Sequence, residues 1–200
     1  MEPAVSAPLL TLMGLPDVAL HHILRFLSYE QAAQMRVVCR RMDWLCRGRL
    51  NEGFQAAERF HARCMREVRA RLPRRESERR NHPLARHCDI LTAIETRISL
   101  LAMTFMKFVD LELCCFIPGR VVDEIFRVLR AVRVEESPPR AFEVLQELRD
   151  ISSMAMEHFD EKVAPGLKAS SSSPPGSSSL TIAGVLNPFG RRAAARLALV

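Results

Sequence analysis

The stretch RVVCRRMDWLC, residues 36–46, sets Cys39 and Cys46 seven positions apart among three arginines and several apolar side chains. Thiols could serve metal or redox chemistry, and His82, His87 and Cys88 lie close together farther on, with Cys114 adjoining Cys115. Zinc sites carry two matched pairs of ligands at C-x2-4-C or H-x3-5-H spacing. Among the six cysteines there is no C-x-x-C, and neither cluster has a second pair to complete it. No metal is expected. Cys39, Cys46 and Cys64 fall at apolar positions, where a free cysteine packs as a small hydrophobe. The chain also lacks a phosphate-binding glycine loop, a G-x-S-x-G and an H-E-x-x-H, so neither catalysis nor a cofactor is expected.

Charge is the next candidate for chemistry. The formal net charge is +6 and the pI about 9.4, with 26 arginines against three lysines, Lys107, Lys162 and Lys168. Arginine suits fixed bidentate contacts with carboxylates or phosphates, whereas lysine is the usual acceptor for ubiquitin. The segment around Arg69, Arg71, Arg74, Arg75, Arg79 and Arg80 could grip an anionic partner, and Arg74, Arg75, Arg79 and Arg80 are its candidate contacts. No aromatic residue interleaves these arginines to stack on bases. Glu76 and Glu78 stand among them, which favours a solvated, ion-paired segment over a nucleic-acid site. Nucleic acid and an acidic or phosphorylated protein both stay open as partners. The start MEPAVSAPLLTLMG lacks a charged segment followed by a long apolar core, so no secretory leader is expected, and no apolar run nears the roughly 20 residues of a membrane helix. A soluble, reduced, intracellular protein, in nucleus or cytoplasm and away from the membrane, is expected.

The elements that must position these residues read as helices throughout. LPDVALHHILRFL places Leu20, Ile23, Leu24 and Leu27 on one stripe. Ser28 and Gln31 have the spacing of a capping box, so a second helix should run from about Tyr29 toward Val38 with Ala32 and Met35 inward. A third begins near Arg40 with Met42, Leu45 and Cys46 on one side. From Phe54, Ala57, Phe60, Cys64, Val68 and Leu72 keep the helical period as far as Pro73. Residues 71–87, with six arginines and two prolines, suggest an exposed connection or a charged helical turn.

The central helix should carry Ile90, Leu91, Ile94, Ile98, Leu101, Phe105 and Phe108 inward. After Pro118 and Gly119 come Val121, Ile125, Val128, Leu129 and Val132, and after Pro138 and Pro139 come Val144, Leu145, Leu148, Ile151, Ala155 and Phe159. No segment alternates with period two, so the fold class is all-α. The expected divisions are a flexible lead over 1–13, a three-helix unit over 14–53, a helical partner-binding region over 54–164 and a disordered Ser/Pro/Gly-rich tail over 165–200.

Leu15-Pro16, the Ile23-Leu24 pair, Leu27 and Val38-Cys39-Arg40 together resemble the F-box motif. That motif starts with LP, continues through an I-L and L stripe and closes near V-C-R. Met42 stands where many members carry an aromatic residue, with Trp44 two positions later. The stretches RLPRRESERRNHPLARHCDILTAIETRISLLAMTFMKFVD, LCCFIPGRVVDEIFRVLR and LQELRDISSMAMEHFDEK resemble the helical region of one branch of the F-box-only proteins. The resemblance covers about Gly14 to Val163.

It implies that Leu15, Pro16, Leu20, Ile23, Leu24, Leu27, Val38, Cys39 and Arg40 bind a Skp-type adaptor, and through it the cullin and RING subunits of a ubiquitin ligase. Val38 and Cys39 would be packing groups at the adaptor face or in the core of the motif, with Arg40 and Arg41 free to pair with acidic adaptor side chains. The remaining helices would hold an unidentified protein substrate. Members typically continue into a coiled coil and a basic stretch. Their absence here suggests a shortened paralogue or isoform and leaves homodimerisation and nuclear import open. Two other readings remain: a helical scaffold that no longer binds the adaptor, and a basic nucleic-acid-associated module.

Overall fold

The computed structural model describes residues 11–171, with side chains up to Lys168. Most of the expected lead and tail, residues 1–10 and 172–200, lies outside the described residues. A 3-10 turn over Leu12–Gly14 precedes α1 (Asp17–Leu24), α2 (Tyr29–Met35) and α3 (Arg40–Arg71). A single turn, α4 (Glu76–Arg80), leads into α5 (Ala85–Asp110), then α6 (Gly119–Val134), α7 (Ala141–Val144) and α8 (Gln146–His158). A π-helical turn over Phe159–Val163 joins α8 to α9 (Ala164–Ser171). Among the described residues there is no strand, and no helix is long and apolar enough to cross a membrane.

The expected stripes face inward. Ile90, Leu91, Ile94, Ile98, Leu101, Phe105 and Phe108 of α5 join Val121, Ile125, Val128, Leu129 and Val132 of α6, with Leu148, Ile151 and Ala155 of α8. Aromatic rings fix the centre: Phe54 stacks on Phe116 at 4.2 Å, and Phe105 meets both Phe116 and Phe159, at 5.1 and 4.4 Å. Such pairs add about 0.5–1.5 kcal/mol each beyond the area they bury. His61 is buried in the same core, where its Nε2 lies 2.8 Å from the Leu91 carbonyl and so donates to it.

Two expectations about extent change. The third helix does not stop near residue 53 but runs unbroken for 32 residues, about 48 Å at 1.5 Å per residue. Its first turns pack under α1 and α2, while Phe54, Ala57, Cys64 and Met65 enter the main core, so burial at both ends keeps one helix. The boundary expected at 53/54 thus falls inside a continuous element. The last helix likewise passes Pro165 and spans Ala164–Ser171 within the described residues, because Ala164 and Leu167 are buried against the core. Proline clashes with the carbonyl four residues earlier in a regular helix, and the π turn just before Pro165 is where such a clash is relieved.

The short helix α2 is wedged between α3 and α6. Its own Ser28–Gln31 capping box forms as the spacing suggests, with Gln31 N–H donating to Ser28 Oγ at 3.1 Å and Ser28 N–H to Gln31 Oε1 at 3.0 Å. A second cap comes from far along the chain. Asp123 of α6 accepts from Tyr29 N–H at 3.0 Å and from Glu30 N–H at 2.9 Å. Glu30 returns the contact by accepting from Arg120 N–H, at the start of α6, at 3.1 Å. Two helix N-termini, each rich in unpaired N–H groups and positive dipole, therefore exchange carboxylates. The approach is so close that a Cβ on Gly119 would lie 2.3 Å from the Tyr29 carbonyl oxygen, and one on Gly53 would lie 2.2 Å from the Tyr29 ring.

Replacing Asp123 by Ala should cost about 1–3 kcal/mol, since two half-buried N–H groups lose their acceptors. Gly119→Ala should also destabilise, because backbone on both sides resists the new methyl. Gly48, in an exposed turn of α3 with open space around it, is the contrast: Gly48→Ala should stabilise by about 0.5–1 kcal/mol. Urea denaturation of the three variants checks the order.

Candidate functional site

The N-terminal helices hold a small core of their own, made by Leu20, Leu24, Met42, Leu45 and Cys46 with Leu15, Leu27 and Met35 packed around it. Leu20 and Leu24, expected at the adaptor face, are each 2% exposed. They face α3 and support the surface rather than form it. Met42 is equally buried, while Trp44 is 65% exposed, so the aromatic residue of this segment points outward.

Polar contacts hold the frame. Arg41 reaches back from α3 to donate to Asp17 Oδ1 at 2.6 Å, to the Leu15 carbonyl at 2.6 Å and to the Met13 carbonyl. The guanidinium thereby ties the Leu15-Pro16 entry to α3 and is not free for an outside partner as expected; Arg40 is exposed. Arg36, 7% exposed, pairs with Asp43 at 2.7 Å, and Asp43 also pairs with Arg47 at 3.0 Å. Cys39 is likewise not a packing group of the F-box core. It sits exposed and extended at the N-cap of α3, where its thiol accepts from Met42 N–H at 3.5 Å. Sulfur does here weakly what serine or aspartate does at other helix starts.

What remains on the surface is apolar. Eight of the thirteen large hydrophobic side chains exposed among the described residues lie within residues 12–44, so the exposed apolar surface is concentrated at this end. They include the expected Ile23 and Val38, at 42% and 59%, and also Val18, Phe26, Val37 and Trp44. Pro16 is exposed, and Leu15 and Leu27 are half-buried. Sequence reasoning passed over Val18 and Phe26 because they stand off the buried stripe of α1. The available signal was that the LPDVALHHILRFL segment has more apolar residues than one stripe can hold.

Beside this face a groove of about 800 Å³ opens between α1, α3 and the end of α5, with Val18, Trp44, Val109 and Cys114 among its walls. His21 and Glu52 meet across it at 3.2 Å.

The other candidates are placed apart from it. His82 Nδ1 accepts from Leu84 N–H at 3.1 Å, and the Nε2 of buried His87 donates to the Glu135 carbonyl at 2.8 Å. Among the described residues no three His, Cys, Asp or Glu side chains gather as a metal-holding group. Arg74, Arg75, Arg79 and Arg80 lie exposed on and beside α4, beyond the far end of α3. Arg75 and Arg79 approach Glu78 and Glu76 only at 3.8 and 4.0 Å, and Arg79 Nε donates to the Pro73 carbonyl at 2.8 Å.

Burial pushes the thiol of Cys46 up to about 11 and that of Cys114 up to about 12. A thiolate is the form that alkylates. N-ethylmaleimide at neutral pH should therefore modify exposed Cys39 first and leave Cys46 and Cys114 intact in the folded protein. Mass spectrometry of the modified peptides reads this directly, and early modification of Cys46 would contradict the packing described.

Residues 12–42 match the F-box domain family. Over 158 residues the chain is 65% identical to F-box only protein 28 of Mus musculus, and equally to that of Bos taurus and of Homo sapiens. The match covers 79% of this chain and 43% of each relative, so the chain spans less than half the length of the curated relatives it matches. No solved structure matches it. The matched segment coincides with the small helical core and its exposed apolar face, so the chain carries an F-box domain and closely resembles F-box only protein 28.

Proposed function

We propose that this chain is a non-catalytic substrate-receptor subunit of an SCF-type ubiquitin ligase inside the cell. Its F-box docks on a Skp-type adaptor, and through it on cullin and RING subunits, while the helices beyond hold a protein for ubiquitin transfer. The observation that carries this reading is the concentration of unpartnered apolar side chains within 12–44, on the segment that matches the F-box family. Each leucine- or isoleucine-sized group that becomes fully covered contributes roughly 1.5–3 kcal/mol, and a few such groups dominate an interface. The contact residues on this reading are Pro16, Ile23, Val38 and Arg40 with Val18 and Phe26, and Leu20 and Leu24 hold them in place from beneath.

The receptor's contribution is geometric. Ubiquitin transfer needs an acceptor amine held near the charged enzyme, and holding reactants together converts an encounter between molecules into a step within one complex. A 32-residue α3 shared by both regions, with α2 clamped to α6, suits that task because an adaptor bound at one end fixes the orientation of whatever is held at the other.

Binding of the purified Skp-type adaptor should be tight for the wild type and weaker by about 100-fold or more for Ile23→Asp, Val38→Asp. Both sites are exposed, so the double variant should melt as the wild type does. Calorimetric titration reads the affinity. Wild type that fails to bind, or a variant that binds as well, would remove the ligase reading and leave a helical scaffold.

A further inference from the structure

The positive charge of this protein is concentrated away from the F-box. Residues 59–89 hold ten arginines against four carboxylates, a balance of +6 that equals the formal net charge of the whole chain. These charges are not locked internally. Every ion pair in the described residues that involves this segment is 3.8–4.0 Å long. Those elsewhere are 2.5–3.2 Å.

On α3, Arg59, Arg63 and Arg66 follow at i, i+4 and i+7 on the exposed side, opposite buried Ala57, Cys64 and Met65. Neighbours on such a row stand about 5–6 Å apart. Across the seam, α6 exposes Arg130 and Arg133.

Aromatic rings bind the two rows together. Phe60 of α3 stacks on Phe126 of α6 at 6.0 Å, and Phe126 stacks on Tyr29 at 5.8 Å. Arg63 lies over Phe60 at 5.7 Å, Arg130 over Phe126 at 5.4 Å and Arg49 over Tyr29 at 4.3 Å. None of Arg49, Arg59, Arg63, Arg66 and Arg130 forms an ion pair within the described residues. A guanidinium resting on a ring keeps its charge and in-plane donors while losing little further freedom when it meets an anion.

We infer that the α3–α6 seam is a docking surface for an acidic, Asp- or Glu-rich segment of a protein partner. Calling that partner the protein presented for ubiquitin transfer rests on the function proposed above; the surface itself does not. The arginines form a spaced row across two helices and do not converge on one point, so they match a run of carboxylates better than a single phosphate group. Nucleic acid fits less well because Phe60, Phe126 and Tyr29 are partly buried and already hold guanidiniums, leaving no open ring for a base.

The test is fluorescence anisotropy with the full chain and a labelled peptide of alternating Glu and Gly, beside a labelled oligothymidylate carrying the same number of charges. Saturable peptide binding that weakens with salt is expected, together with a loss of about tenfold or more in Arg63→Glu, Arg130→Glu. A charge-matched Arg25→Glu, Arg140→Glu variant should bind nearly as the wild type. Unchanged melting and unchanged adaptor affinity in the Arg63→Glu, Arg130→Glu variant would show that the loss is local. No saturable peptide binding, equal losses in both variants, or oligothymidylate bound as tightly as the peptide would each overturn the inference. Peptide binding without adaptor binding would instead remove the ligase reading and leave this surface standing.

Discussion

Everything positional in this protein depends on two carboxylates exchanged between helix ends. Asp123 receives the first N–H groups of α2, and Glu30 of α2 receives the N–H of Arg120 in the first turn of α6. The first turn of a helix offers donors that nothing inside the helix can satisfy, and burying them bare would cost more than leaving them in water. Once each end supplies the other's acceptor, the two helices can approach until only glycine fits between them, at Gly119 against the Tyr29 backbone, while Gly53 of α3 leaves room for the Tyr29 ring on the other side. An F-box whose small core has only five buried side chains is thereby held to a much larger one.

The consequence for function is a rigid spacing. With α3 passing without a break from the F-box core into the main core, the exposed apolar face and the basic seam are two regions of one body. The apolar face stands open on the segment that matches the F-box domain, and on the proposed reading its occupant is the Skp-type adaptor. The seam carries arginines laid on aromatic rings, where charge persists and flexibility is reduced. A receptor built this way would need no hinge between adaptor and partner.

The sequence is informative wherever burial repeats at the helical period. The stripes of α5, α6 and α8 and the Ser28–Gln31 box are legible because each is settled within a few neighbouring residues. Contacts between distant residues are not. Nothing near Tyr29 announces an acceptor more than ninety residues away, and Arg41 gives no sign that Asp17 and two backbone carbonyls already occupy it. Leu20, Ile23 and Leu24 sit on one apolar stripe, yet only Ile23 is substantially exposed, because α1 meets α3 along one edge of that stripe. Cys39 reads as an apolar filler among apolar neighbours, whereas its extended backbone makes it a cap. The missed end of α3 has the same cause: two regions that look separable along the chain share one helix because both of their cores need it.

The F-box and the helices beyond it form one body, with the proposed adaptor face at one end. Amide hydrogen exchange, measured with and without the Skp-type adaptor, tests it most directly. The Tyr29 and Glu30 amides of the free chain should exchange as slowly as the core of α6, and adaptor should add protection on and beside residues 12–44. Fast exchange at Tyr29 and Glu30 would mean that the F-box opens independently of α6. Protection confined to α5 or α8 would place the adaptor elsewhere, and either result would contradict the account.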